Sequence, residues 1–386
     1  MIILEKPYVS ELLESTLEKT QIPVLKTENL KELGITRKLN FWNADRAIKE
    51  IQKNTSIPVY SNSENSIDWI DKNLSFTDLP EKIHIFKDKV KFRQLLSAMY
   101  PDYFFQGVDF NDLETLNVSE IKKPFIVKPA VGFFSIGVKV INTDKEWPEA
   151  VSSIKQDMEK VKGLYPETVM NSCKFIIEEI ILGDEFAIDV YYNNEGKPVI
   201  LDILKHLFSG EKDVSDRIYL TSKEIIEEHF EDLMDYFEKM GQLIELRNFP
   251  MHVEVRINEN GKVIPIEVNP LRFAGWCCTD IAYYSYGLNV YEYFYKQQVP
   301  NWKEILKDKE GKIYYFTIID VPSGVNRNDI KAFDYDGFLK NYQKVLEIRK
   351  FDFKKNAIGY VVAETEGYEE IQKILNIDYR DYITLK

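Results

Sequence analysis

Apolar positions along this chain repeat at two periods, near two and near 3.6 residues, and the switches between them mark out its elements. Ile2 to Leu4 is a short apolar run, Val9 to Leu17 is amphipathic, and Ile22 to Leu25 reads as a second strand behind Pro23. Pro58-Val59-Tyr60 and the amphipathic stretch Ser66 to Leu74 continue the alternation of strand and helix, so residues 1–80 are expected to form a small α/β lobe on a parallel sheet. Val90, Phe92, Leu95, Leu96 and Met99 then fall at helical spacing before Pro101. Phe125 to Val127, Val138 to Ile141 and an amphipathic segment from Glu149 to Val161 complete a second lobe over 81–165.

Residues 166–305 read as a third lobe. Lys174 to Ile181 and Glu185 to Tyr192 are strand-like, and Asn193-Asn194-Glu195-Gly196 turns the chain into Pro198 to Leu204. A helical pattern runs from Ser222 to about Leu246, and Met251 to Ile257 and Val263 to Val268 are alternating strands joined by Asn258-Glu259-Asn260-Gly261. Residues 306–386 return to short strands, Ile313 to Ile318 and Ile358 to Val362, with one helix near Tyr368 to Leu375, and read as an appended α+β piece. The expected class is α/β followed by α+β, without internal repeats or low-complexity tracts.

Composition narrows the function. With 63 Asp plus Glu against 50 Lys plus Arg, the formal charge of -13 repels polyanions, which argues against nucleic acid and anionic membranes as partners. A phosphate site must therefore be locally basic. The three cysteines, Cys173, Cys277 and Cys278, have no disulfide-framework spacing, the N-terminus lacks the apolar core of a signal peptide, and no apolar run approaches a membrane span. A soluble, cytoplasmic protein in a reducing compartment is expected.

Three segments carry chemistry. In Val127-Lys128-Pro129-Ala130-Val131-Gly132-Phe133-Phe134-Ser135-Ile136-Gly137, a strand delivers Lys128, and Gly132, Ser135 and Gly137 let amides and a hydroxyl curl around phosphate oxygens; the competing reading is a hairpin turn with a surface lysine. In His252-Val253-Glu254-Val255-Arg256 and Ile266-Glu267-Val268-Asn269-Pro270, hairpin-paired strands bring Glu254 near Glu267, and Asn269 projects from the face of Glu267. These hard oxygens suit Mg²⁺, which takes a few carboxylate or amide ligands and completes its sphere with water and phosphate; a solvated polar face is the alternative. In Ile177-Glu178-Glu179-Ile180-Ile181-Leu182-Gly183-Asp184-Glu185, the apolar strand end could cover an adenine face, and Glu185 could bind ribose hydroxyls, although such a sequence is more often a plain strand and turn. Lys89, Arg256 and Arg272 are supporting cations suited to phosphate or carboxylate oxygens. His206, in Lys205 to Gly210, is a candidate proton acceptor, with a structural role the better reading; Cys277 and Cys278 read as packing residues.

Taken in order, these segments resemble the ATP-grasp superfamily over roughly residues 80–300, and Pro270-Leu271-Arg272-Phe273-Ala274-Gly275 is most similar to its amino acid ligase branch. The resemblance implies an ATP-grasp fold with a pre-ATP-grasp lobe, phosphate-binding Lys89 and Lys128, a mobile lid over Gly132, Ser135 and Gly137, and an adenine hinge at Glu178, Glu179, Ile180 and Ile181. It also implies Glu185 as the ribose acid, and Glu254, Glu267 and Asn269 as metal ligands. Lys128, Arg256 and Arg272 would act on the transferring groups, although Leu271 intervenes between the Asn269-Pro270 turn and Arg272. The cofactors implied are ATP and Mg²⁺, with Mn²⁺ as a substitute. The implied activity is an ADP-forming ligase that joins a small carboxylate, an amino acid among the candidates, to an amine. A carboxylase, an acid–thiol ligase and an ATP-binding module without turnover share the nucleotide residues, and a homodimer is compatible with the pattern.

Overall fold

The computed structural model describes residues 1–132, 137–161, 174–210 and 217–386. Four strands, β1 (Ile2–Ile3), β2 (Val24–Leu25), β3 (Phe41–Trp42) and β4 (Tyr60–Ser61), form an all-parallel sheet in the order β3-β2-β1-β4. Helices Glu11–Thr20 and Ala44–Lys53 supply the crossovers that parallel pairing requires, each opened by a side-chain cap from Ser10 or Asn43. The lobe read from residues 1–80 has this parallel sheet, with β3 added to it.

A second, antiparallel sheet is ordered β5-β8-β6-β7, from β5 (Phe105–Asp109), β6 (Phe125–Pro129), β7 (Lys139–Ile141) and β8 (Lys174–Glu179). Helix Trp147–Val161 covers it, and Phe125, Val127, Ile154, Phe175 and Ile177 form its own small core. The third sheet has eight antiparallel strands in the order β13-β12-β9-β10-β11-β14-β17-β16. They are β9 (Asp184–Tyr192), β10 (Pro198–Leu207), β11 (Ile218–Ser222), β12 (Phe249–Ile257), β13 (Val263–Pro270), β14 (Ile313–Ile319), β16 (Lys344–Lys350) and β17 (Gly359–Thr365). A short β15 (Ile330–Phe333) pairs with β18 (Ile383–Leu385). Helix Lys223–Ile244, capped by Ser222, buries Leu233, Phe237 and Met240 toward the core that the large sheet shares with the N-terminal lobe.

The C-terminal strands extend the large sheet: β14 pairs with β11 from Ile218 opposite Thr317 to Ser222 opposite Ile313. Cross-strand partners share a face, so the register traces one continuous surface. From Glu267 it passes to Glu254 and Ala187, on to Leu204, and, two residues along, from His206 to Tyr219, Phe316 and Val362. At the far edge Tyr360 stands opposite Arg349. One end of this face is polar and the other aromatic. Among the described residues no helix is long and apolar enough to cross a membrane.

Candidate functional site

Helix Lys89–Leu95 begins where Asp88 accepts hydrogen bonds from the amides of Val90 and Lys91, and the Lys89 amide donates to the carbonyl of Ala130 at 2.8 Å. That bond sets the helix start against the end of β6, which carries Lys128. Two lysines far apart in sequence are thus neighbours. Lys89 Nζ lies 2.7 Å from Glu267 Oε2, and Lys128 Nζ lies 2.6 Å from Glu178 Oε1.

Glu178 is almost fully buried, which by itself would raise its pKa; Lys128 and Arg93 outweigh burial and hold it down at about 2. Arg93 Nε bonds Glu178 Oε2 at 2.7 Å, its Nη1 donates to the Pro265 carbonyl at 2.7 Å, and the Tyr103 hydroxyl donates to Glu178 at 3.1 Å. Burial and the neighbouring Lys89 pull the Lys128 pKa down while Glu178 pulls it up, and the net shift is downward. The two cations around one carboxylate leave this cluster short of negative charge, a suitable wall for phosphate oxygens.

Glu254 and Glu267 stand directly opposite each other across β12 and β13, and the register slips at this point, so that Ile266 is the extra residue. Like charges directly opposite are unfavourable unless a cation lies between or beside them. Burial would raise Glu267, but Lys89, with Lys87 and Lys128 behind it, keeps it ionised with a pKa near 2. Asn269, two residues along the same strand and buried, adds an amide. Among the described residues no three His, Cys, Asp or Glu side chains form a metal cage of their own. Two carboxylates and an amide fit Mg²⁺, whose remaining positions go to water and phosphate.

Arg272 reaches this cluster through a kink at Leu271. Leu271 takes a left-handed φ of 59°, its amide donates to Pro250 and its carbonyl accepts from Ser61, both at 2.8 Å. The kink turns the chain just before Arg272. Arg272 Nε and Nη2 each lie 3.3 Å from Glu64 Oε1, and Lys87 bonds Glu64 Oε2 at 2.6 Å. Burial would raise Glu64, yet Arg272 and Lys87 win and lower it despite the nearby Glu267. Glu64 and Lys87 escape a reading of the sequence because each contact spans lobes. Arg93 does leave a signal, since it sits one helical turn after Lys89.

At the end of β8, where the sequence suggests an adenine hinge, hydrogen bonds tie the chain down. Glu179 bonds the Phe104 amide through its carboxylate at 3.0 Å, and the Tyr103 hydroxyl donates to its carbonyl at 3.2 Å. Ile180 is half-buried and Ile181 buried. Glu185 accepts from Arg256 at 3.1 Å and sits 2.9 Å from His206 Nδ1. Burial would raise Glu185, and these two partners lower it.

Arg256 is placed apart from the two lysines: its guanidinium bonds Glu185 and, at 2.8 Å, the Ile181 carbonyl. Arg256 does share a strand with Glu254, but the carboxylate of Glu185 on β9 pulls it away. His206 stacks on Tyr219 with ring centroids 4.1 Å apart and bonds Glu185, a structural setting. Gly132 and Gly137 flank the expected lid, and Gly137 has a φ of 74° that favours glycine. Ser135, with Phe133 and Phe134, lies outside the described residues. Among the described residues, Cys277 and Cys278 are buried and stand outside any disulfide. A surface cavity of about 790 Å³ opens on the other face of β9 and β10, around Phe186, Lys205 and His229, and includes none of the lysines or metal-type ligands above.

Gly183 holds the hinge turn onto the β12–β13 hairpin. Its φ is 120°, and a Cβ there would sit 2.2 Å from the Ile257 carbonyl oxygen. Gly183→Ala is expected to cost about 2 kcal/mol or more, from the disfavoured backbone region and the clash together. A urea midpoint that falls measurably with an unchanged slope checks it.

Residues 121–280 match a family model described as the ATP-grasp domain. By sequence, no curated protein matches the chain. An L-amino acid ligase from Bacillus licheniformis superposes with a TM-score of 0.71 at 16% identity, covering 100% of this chain and 98% of that one. N5-carboxyaminoimidazole ribonucleotide synthetase from Thermotoga maritima gives a TM-score of 0.64 at 14% identity, with 100% and 98% covered. Biotin carboxylase from Campylobacter jejuni gives 0.63 at 14% identity, with 100% and 92% covered.

Proposed function

We propose that this chain, in which residues 121–280 match the ATP-grasp domain model and the whole length superposes on an L-amino acid ligase, is an ADP-forming ligase that joins a small carboxylate to an amine. The observation that carries this reading is the single cluster in which Lys89, Lys128, Glu267 and Glu178 pair, with Arg272 held beside it on Glu64. Cations for a triphosphate, oxygens for a divalent ion and an arginine for a carboxylate lie within one set of linked contacts.

A carboxylate is a poor acyl donor because oxide would have to leave. Transfer of the γ-phosphoryl group of ATP to a carboxylate oxygen makes an acyl phosphate and releases ADP. An amine nitrogen then forms the new bond to the acyl carbon, phosphate departs with the old bond's electrons, and the amine loses a proton to its surroundings. Lys89 and Lys128 would bind β- and γ-phosphate oxygens, Glu254, Glu267 and Asn269 would hold Mg²⁺, and Arg272 would orient the carboxylate. When bound, the metal would neutralise charge on the phosphates during transfer. Glu179 and Ile181 each keep a carbonyl lone pair for an adenine edge, because one bond each leaves one free. Arg256 and His206 would fix Glu185 for the ribose.

A carboxylase or acid–thiol ligase would share every nucleotide contact and differ in the acceptor pocket. The Bacillus licheniformis neighbour, an L-amino acid ligase, favours an amine acceptor. ADP release with MgATP and pools of amino acids, other carboxylates, bicarbonate and thiols tests the choice. Turnover that needs an amino acid or amine pool is expected; turnover only with bicarbonate or thiols overturns the amine assignment. Tight MgATP binding without ADP release in any pool overturns the enzymatic reading altogether.

A further inference from the structure

The segment after Arg272 is held in an unfavourable backbone shape by a buried arginine from the other edge of the sheet. Trp276 and Cys277 are consecutive non-glycine residues with φ of 56° and 55°, both in the left-handed region. Arg349, on β16, donates from Nη1 to both of their carbonyls, at 3.3 Å and 3.0 Å, and from Nη2 to Asp280 at 2.6 Å. Asp280 is fully buried and also accepts from the Tyr291 hydroxyl at 2.6 Å. The guanidinium carbon lies 4.7 Å from the Tyr360 ring and 5.5 Å from the Tyr8 ring, so one arginine touches the last sheet strands, the N-terminal lobe and the loop.

We infer that Arg349 is a positioning residue for Arg272: it holds the loop 273–280 in the one shape that keeps Arg272 aimed at the reacting carboxylate. This deepens the proposed function and rests on it for the role of Arg272. The fork of a guanidinium can serve two carbonyls and a carboxylate at once, and a lysine ammonium lacks that planar reach. The opposite end of the loop is pinned independently through Leu271 to Pro250 and Ser61, and Ala274 donates to buried Asp189 at 2.9 Å. The anchors at Leu271 and Ala274 hold the backbone of Arg272, so the clamp acts on its side chain through Gly275: a Cβ there would sit 3.6 Å from Arg272 Nη1, and release of the Trp276–Cys277 turn moves this wall away from the guanidinium. The C-terminal strands thereby acquire a role in the site, because they carry Arg349 across the sheet to a loop that begins at its first edge.

Arg349→Lys is the test, made on the full chain. Expected are a rise of tenfold or more in KM for the carboxylate and a similar fall in kcat, with MgATP affinity within twofold of the parent. Amide hydrogen exchange should accelerate about tenfold in 271–280 and stay unchanged in 251–268. Cys277→Gly in the Arg349→Lys background should recover several-fold of the lost kcat/KM, because glycine takes the left-handed shape without the clamp. Parent-like KM and kcat in folded Arg349→Lys, or no recovery by the glycine, overturn the inference. Should Arg349→Lys not fold, Asp280→Asn is read by the same kinetic and exchange criteria. Should the parent chain itself release no ADP, the proposed function has failed, and faster exchange confined to 271–280 still tests the clamp alone.

Discussion

Lys128→Met is expected to lower ADP-forming turnover by on the order of 100- to 1,000-fold, the usual cost of removing one preorganised charge from a developing phosphoryl transition state. The substitution leaves the methylene stem in place under β8 and removes only the ammonium. Its structural cost should be smaller than that of breaking a complete buried ion pair, about 3–5 kcal/mol, because Arg93 still holds the other oxygen of Glu178 at 2.7 Å. The relief of a buried ammonium, whose pKa is already pushed down by burial, offsets part of the rest. We expect a stability loss of about 1–2 kcal/mol, so that the protein stays folded while turnover collapses. A melt near that of the parent, combined with single-turnover ADP formation, separates the two effects. Turnover within a factor of three of the parent would sink the phosphate assignment of Lys128.

Glu267→Gln is expected to have the second largest effect, on the metal. An amide keeps the size and one acceptor oxygen but loses the charge that attracts Mg²⁺, and it leaves Lys89 without the carboxylate charge that pairs with it at 2.7 Å. Apparent Mg²⁺ affinity in the presence of ATP should fall at least as far as it does when a supporting partner is lost, roughly 10–100-fold. Titration of ADP release against Mg²⁺ at saturating ATP reads this directly, and an unshifted midpoint would remove Glu267 from the metal set.

The same residue sets an acid limit on the ligand-free fold. Glu267 and Glu178 are both depressed from 4.5 to about 2, so each contributes stability that is complete above about pH 4.5 and is lost as pH falls toward about 2. Melting temperatures measured across that window should drop less steeply for Glu267→Gln than for the parent. Above about pH 5 the two curves should run parallel.

Much of this fold is legible in the chain itself. The alternation in Met251 to Ile257 and Val263 to Val268, with a glycine turn between, specifies β12 and β13 because one face must be buried and side chains alternate strictly. β6, β8 and β9 are legible as short apolar, strand-like runs, and the hairpin places Glu254 near Glu267. Short strands are less visible. β3 is two residues long, and β11, Ile218–Ser222, is buried at every position, so no alternation marks it. The strands β14 and β17 are legible, but their membership of the large sheet is not, since pairing with β11 joins residues almost a hundred positions apart.

By itself, then, the sequence determined which residue types could serve a triphosphate, a divalent ion and a carboxylate, and on which strands most of them stand, because period and turn chemistry are local properties. Tertiary structure decided who pairs with whom. Lys89 meets Glu267, Arg256 leaves the metal side for Glu185, Arg272 finds Glu64 from another lobe, and Arg349 crosses the sheet to Trp276 and Cys277. Those partnerships are settled by which charges are buried together, and burial is a property of the packed molecule that no local run of residues contains.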